Sequence, residues 1–445
     1  MKHSIDRFLI IGDSLSDKGT MADSILAPMS GLVGNSPEGR FTNGFAWIDF
    51  FCQKVMVDSM AQISDQSSSE SSESKPMFVH NDDKRVATHS SQSYVRTYCE
   101  GGMSAHNYFK KITLNPLVLG SRMAVANLDE MRDRIKEDDK SMDIPASYKQ
   151  STLVIEWSGA NDLITVNEQP SRAAAELAVK ARVKNIEKMI GMGYQHFVLF
   201  NLPDLSLTPR FQKQPAHKQQ RAQNSVDHCN EMLGAKIAEL TKKYPQCSIS
   251  IYDANQLFKQ AFNHPEQFGL EEHKKNHAFI ESEDFKNTSN QAAANGYMFW
   301  DDVHPAQTVH SHLANDFYEA SFMQSYNFLS PNDSLLEQFQ TCYGERLAND
   351  RAGRLGFFRQ SNIDYKNADL QTILKHALHE KGYRTRDVIV ELGWVDRDKR
   401  LSSAHPLLGQ AIKGMADLKA DILFPLEKDE VQLELAVAQA TLKNP

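Results

Sequence analysis

The sequence predicts an α/β protein built on a parallel sheet with helices on both faces, with a small C-terminal helical or α/β domain after it. Two observations carry the first part: short apolar, β-branched or aromatic runs recur along the chain, and segments of helical period lie between them. A change of texture after Ser330-Pro331-Asn332-Asp333 carries the second.

The first run, Phe8 to Ile11, stops at Gly12-Asp13-Ser14, which reads as a buried strand ending in a tight turn. Leu153 to Trp157, Phe197 to Phe200 and Ile249 to Tyr252 are three similar strands. Pro170 and Ser171 start a helix that runs to Met189 and stops at Gly191 and Gly193. A second helix is expected from about Gln219 to Lys243. Strands alternating with helices imply a doubly wound parallel sheet. Between the first two strands, Ser64 to Pro76 (SDQSSSESSESKP) is polar, acidic and low in complexity. It reads as a surface loop within an insertion of about residues 59–92.

The expected domains are therefore 1–330 and 331–445. In the second, residues 344–359 are rich in Arg and Gly. Asn367 caps a helix whose Leu370, Ile373, Leu374, Ala377 and Leu378 share one face, and Gly382 ends it. Val388 to Val390 reads as a strand, and Pro406 opens another helix.

Length and composition bound the function. The chain has 445 residues, 49 Lys and Arg against 57 Asp and Glu, and a net charge of −8, which argues against nucleic-acid binding because phosphates want clustered cations. Hydrophobic residues make up 41%, enough for a sizeable core. The five cysteines (Cys52, Cys99, Cys229, Cys247, Cys342) are widely spaced with no C-x-x-C pair, so buried thiols are expected rather than a zinc ribbon or disulfide scaffold. Near the start, the apolar run Phe8 to Ile11 is far below the roughly 18 residues of a membrane span. With no signal peptide in view, the chain is expected either to stay in the cytoplasm or to leave it by a signal-peptide-independent route.

Four short motifs can carry chemistry. Ser14 follows the first strand, at the strand end where open α/β sheets place ligands, with an accessible hydroxyl suited to a nucleophile. Asp301 stands three residues before His304, a spacing at which a carboxylate reaches the imidazole in a turn and fixes its tautomer. Gly101-Gly102 lets a backbone N–H approach a developing anion. Asn161, in Gly159-Ala160-Asn161-Asp162 after the second strand, offers a side-chain amide. Taken singly, each reads equally as a turn or cap residue.

Together and in this order, these pieces resemble the SGNH, or GDSL-type, hydrolases. Longer blocks extend the resemblance over about residues 7–325: Gly39-Arg40-Phe41-Thr42-Asn43-Gly44 with Trp47, Asn201-Leu202-Pro203-Asp204-Leu205, and Phe299-Trp300-Asp301-Asp302-Val303-His304-Pro305. The resemblance implies a flavodoxin-like three-layer fold of about five strands. It implies Ser14 as nucleophile, His304 as general base and acid, Asp301 as its orienting acid, and the N–H groups of Ser14 and Gly102 with the Asn161 side chain as the oxyanion hole. The spacing favours Asp301 over Asp302. Two blocks depart from the family pattern, Thr20 replacing Asn after Ser16-Asp17-Lys18-Gly19, and Thr97-Tyr98-Cys99-Glu100 preceding the glycines. Position 16 is Ser, so the Gly-x-Ser-x-Gly elbow of α/β-hydrolases is absent.

The bacterial relatives with these blocks resemble phospholipases A, lysophospholipases and glycerophospholipid:cholesterol acyltransferases. The implied substrate is an acyl ester, in first place a lipid, met through a transient membrane-surface contact, with no cofactor and no metal. His273 and His277, at i and i+4, read as a solvated helix face rather than a metal site, because no Glu follows the first. His310 and His312 are assigned to a helix after Pro305, outside the chemistry. Residues 331–445 are expected to bind a protein or membrane partner, cover the site, or direct delivery as a bacterial effector. The alternatives are a carbohydrate acetylesterase of the same family, or a binding or scaffold effector whose C-terminal domain carries the function.

Overall fold

The computed structural model describes residues 2–21, 39–61, 95–111, 113–141, 144, 146–287 and 294–328. The domain expected at 331–445, Cys342, and all of the serine-rich insertion beyond residue 61 lie outside the described residues.

Seven strands are described: β1 (His3–Ile5), β2 (Arg7–Gly12), β3 (Val95–Cys99), β4 (Thr152–Trp157), β5 (His196–Phe200), β6 (Ser248–Tyr252) and β7 (Tyr326–Phe328). Five form one parallel sheet in the order β3-β2-β4-β5-β6, and β1 pairs with β7 separately. The described α-helices are α1 (Trp47–Ala61), α2 (Pro116–Ala124), α3 (Leu128–Ser141), α4 (Ala146–Gln150), α5 (Ala160–Ile164), α6 (Arg172–Gly191), α7 (Pro209–Gln212), α8 (Ala216–Lys243), α9 (Ala254–Asn263), α10 (Glu283–Asn287), α11 (Gln307–Asp316) and the single turn α12 (Met323–Ser325). None is long and apolar enough to cross a membrane.

Alternation along the strands divides the core into two layers. Phe8, Ile10, Leu153, Ile155, Val198 and Phe200 face α1, α9 and α11. Leu9, Ile11, Val154, Phe197 and Leu199 face α3, α6 and α8. β2, β4 and β5 are apolar at most positions because both sheet faces are covered. The three-layer α/β arrangement is the one expected from the sequence.

Helix boundaries follow local chemistry. Ser171 caps α6 by accepting the Ala174 N–H, as its sequence predicts. α8 begins at Ala216, just after Pro215, three residues earlier than expected. β3 carries Arg96 in its middle, where the guanidinium pairs with Asp139 of α3 at 2.8 Å and bonds the Tyr98 hydroxyl. One expectation is corrected. His273 and His277 sit on a run of turns and a bend, not on a helix face.

The strand order positions the site. The chain runs from β2 to β3 on one side and returns to β4 on the other, so the loops after β2 and β4 part at a switch point. Gly12 lies in register with Cys99 and Trp157, so all three loops leave the sheet at one level. A side chain at Gly12 would sit 2.9 Å from Ser16 Cβ and 3.1 Å from the Trp157 carbonyl, so only glycine fits.

Candidate active site

Ser14 stands in the turn leaving β2, 8% exposed. Asp13 shapes that turn: its carboxylate accepts the Leu15 N–H at 3.1 Å, and its carbonyl accepts the Ser16 N–H at 3.0 Å. The Asp13 carboxyl is buried, and burial pushes it up to about 7.

His304 arrives from far along the chain on a tight loop. The Trp300 N–H donates to the His304 carbonyl at 2.8 Å, and the Ala306 N–H donates to the Met298 carbonyl at 2.9 Å, closing residues 298–306. His304 Nε2 lies 2.8 Å from Ser14 Oγ, and its Nδ1 lies 2.6 Å from Asp301 Oδ2. The other Asp301 oxygen accepts the backbone N–H groups of Val303 and His304 at 2.8 and 2.6 Å. Burial works against the Asp301 charge, but His304 and these hydrogen bonds outweigh it and hold the carboxyl below its ordinary range.

The neighbouring acid does something else. Asp302 makes a two-pronged ion pair with Arg210, at 2.6 and 3.0 Å, while the Arg210 N–H donates to the Asp302 carbonyl at 2.8 Å. The structure therefore brings Ser14, His304 and Asp301 into one line and directs Asp302 away from it.

The loop after β3 passes beside Ser14. Gly102 has φ +80°, a left-handed conformation that favours glycine, and a Cβ there would meet Val125 Cγ1 at 3.1 Å. Buried carboxylates anchor this loop at both ends. Asp17 accepts N–H groups from Gly19, Thr20, Met21 and Gly101 at 2.6–3.1 Å. Asp162 accepts those of Ala105 and His106 at 2.6 and 2.9 Å. Burial pushes both carboxyls up, to about 6 and about 7, against the pull of these donors.

Asn161, in the first turn of α5, reaches the same loop. Its Nδ2 donates to the Met103 carbonyl at 3.1 Å, and its Oδ1 accepts the Thr165 hydroxyl at 2.5 Å. The orientation is thereby set, and one Nδ2 proton remains for a ligand. Among the described residues, neither the Ser14 nor the Gly102 N–H donates to a protein acceptor. All of the expected oxyanion residues line one cleft.

That cleft, of about 570 Å³, holds Ser14 and His304 and is walled largely by apolar groups, including Leu15, Phe41, Leu117, Ile164 and Leu205. Several contributors had no role assigned from the sequence. The Phe41 ring lies 4.9 Å from the His304 ring, centre to centre. Asn43 Oδ1 accepts the Gln307 N–H, Gln307 Oε1 accepts the Phe45 N–H, and His310 Nδ1 accepts the Trp47 N–H. The block around Gly39-Arg40-Phe41-Thr42-Asn43-Gly44 thus clamps the helix that follows His304. The quoted motif was the only available signal, since its partners lie more than 250 residues away. His310 and His312 lie on α11 as expected. Burial pushes His310 down to about 3.

Residues 8–317 match the family described as GDSL-like lipase/acylhydrolase, and the chain belongs to that family. It is 26% identical over 314 residues to the secreted effector protein SseJ of Salmonella typhimurium, covering 69% of this chain and 61% of the effector. It is 24% identical over 375 residues to a phosphatidylcholine-sterol acyltransferase of Aeromonas hydrophila, covering 74% and 93%. To a thermolabile hemolysin of Vibrio parahaemolyticus it is 22% identical over 331 residues, covering 71% and 64%. The chain thus spans under two thirds of the first and third of these relatives and nearly all of the second.

Proposed function

We propose that this chain is a serine ester hydrolase of the phospholipase A or lysophospholipase kind, working through an acyl-Ser14 intermediate. The line Asp301, His304, Ser14, opening into a mostly apolar cleft, carries the reading. In the resting enzyme His304 Nδ1–H donates to Asp301, leaving Nε2 to accept the Ser14 proton. Ser14 Oγ attacks the ester carbonyl carbon as that proton passes to Nε2. The N–H groups of Ser14 and Gly102 and the Asn161 amide receive the oxyanion. Collapse breaks the bond to the alcohol, which takes the proton from Nε2 as it leaves. Water then gives a proton to Nε2 and attacks the acyl carbon. A second collapse returns the proton to Ser14 Oγ and releases the acid.

A second reading replaces water by another alcohol as acceptor. The Aeromonas acyltransferase supports it, because the alignment covers 93% of that protein. The effector relative supports delivery into another cell, read by following a reporter-tagged chain from producing to recipient cells.

The test is labelling with a fluorophosphonate probe followed by a substrate panel. Wild type is labelled and Ser14→Ala is not; equal labelling of the two, or none of wild type, refutes the hydrolase. Phospholipid, lysophospholipid, short nitrophenyl esters and acetylated sugars then sort the acyl donor. Cleavage of acetylated sugars without any lipid cleavage defeats the lipid preference and favours the acetylesterase.

A further inference from the structure

The apolar surface of this protein is unevenly spread. Among the described residues, all five exposed large apolar side chains fall within residues 109–123: Phe109 (63% exposed), Leu114 (99%), Leu117 (83%), Leu119 and Met123 (64%). Isolated exposed apolar residues are ordinary, but a contiguous cluster on one segment marks an interaction surface.

The charge of that segment is also distinct. No acidic residue occurs between Glu100 and Asp129, in a chain with 57 Asp and Glu. Lys110 and Lys111 are exposed and follow Phe109 directly in the chain. Arg122, the remaining cation, is buried and used internally. Its guanidinium donates to the carbonyls of Val166 and Lys111 and to Asn167 Oδ1, at 2.7–2.9 Å. Asn115 caps α2 by accepting the Leu117 and Val118 N–H groups, with Pro116 at the first helical position. Leu117, Leu119 and Met123 therefore project from a capped helix.

The same helix walls the cleft, through Leu117, Gly120, Ser121 and Ala124. We propose that residues 109–111 and 113–123 form a docking surface for an anionic lipid bilayer, seating the cleft mouth against the membrane. Apolar side chains that enter the acyl boundary beside lysines that meet anionic headgroups are the combination such surfaces use. The proposal names the partner of the site assigned above and rests on the lipid-ester reading for its purpose, but its test needs no catalysis.

Binding is measured by co-sedimentation of the full chain carrying Ser14→Ala, so that vesicles stay intact. The vesicles are pure phosphatidylcholine and an equimolar mixture of phosphatidylcholine and phosphatidylglycerol. The parent partitions onto the mixed vesicles more strongly than onto the neutral ones, and added salt weakens that preference. Phe109→Ser/Leu114→Ser/Met123→Ser lowers partitioning by at least about tenfold, three apolar contacts being lost. None of these three residues lines the cleft. With Ser14 intact, this variant hydrolyses a dissolved short-chain ester like wild type. Leu114→Ser alone serves if the triple variant does not fold. Lys110→Gln/Lys111→Gln abolishes the preference for anionic vesicles.

A parent that does not partition, or a triple variant that partitions like the parent, overturns the proposal. So does a lipid-free dimer that the triple variant dissociates, which would give the face to a second copy. If the parent binds vesicles while wild type cleaves no ester, the hydrolase reading fails and the docking surface stands.

Discussion

Replacing Asn161 by Ala tests the oxyanion hole most directly. Two contacts hold the amide, the Thr165 hydroxyl at 2.5 Å on Oδ1 and the Met103 carbonyl at 3.1 Å on Nδ2. The substitution removes the one side-chain donor of the three expected. Loss of such a donor raises the barrier by about 2.7–4 kcal/mol, or about 10²–10³ in kcat, with KM little changed because the anion exists only in the transition state. It also strands the Thr165 hydroxyl and Met103 carbonyl, at about 1–3 kcal/mol if water does not reach them, so the melting temperature falls as well. Thr165→Val separates the two effects. It keeps the donor and removes one tether, a neutral hydrogen bond of about 1 kcal/mol, so kcat falls by about tenfold at most. The assay is steady-state hydrolysis of a short nitrophenyl ester, with thermal melts of each variant. A folded Asn161→Ala enzyme that keeps kcat within about threefold, well under the roughly 10² expected, refutes the assignment.

Three further outcomes follow from the same geometry. Asp301→Asn leaves the loop in place but presents the wrong partner to His304 Nδ1, so kcat falls by about 10³–10⁴. Asp302→Asn, which breaks only a half-exposed pair with Arg210, costs about 1 kcal/mol of stability or less and leaves kcat within about tenfold. Equal losses in the two variants contradict the geometry. Asp13 predicts a pH effect. Its folded carboxyl is raised to about 7 from 3.8, so its contribution to stability is complete below about pH 4 and is lost as pH rises through 7. That shift corresponds to up to about 4 kcal/mol. Asp13→Asn keeps an acceptor for the Leu15 N–H, so it raises the melting temperature at about pH 8 and leaves it unchanged at about pH 4. An unchanged melting temperature at both pH values refutes the burial argument.

The legible strands share a physical cause. β2, β4 and β5 are buried on both faces, and such strands read as largely apolar runs from local sequence, although the buried Glu156 of β4 takes its partner Arg182 from α6. β3 escaped because it reads Val-Arg-Thr-Tyr-Cys, and the partner that makes a buried Arg96 tolerable, Asp139, is supplied more than 40 residues later by α3. α2 escaped for the opposite reason. Its outward side chains are apolar, so it lacks the polar face by which an amphipathic helix is recognised. His273 and His277 matched a helical spacing, but spacing cannot tell a helix from successive turns.

The sequence alone determined the alternation of β2, β4, β5 and β6 with α6 and α8 and which residue types stand at the strand ends, and its short motifs carried the family resemblance. Those features are local, set by periodicity and by turn chemistry within a few residues. Tertiary structure decided everything that joins distant segments. It aimed Asp301 at His304 and Asp302 at Arg210, a choice made by the fold of residues 298–306 and the placement of α7. It brought His304 to 2.8 Å from Ser14 across 290 positions of chain. It turned the Asn161 amide toward Met103, and it built the apolar wall of the cleft from α2, which no motif announced. Hydrogen-bond direction and shared cavity walls depend on the packing of the whole sheet and its helices, and a one-dimensional pattern carries neither.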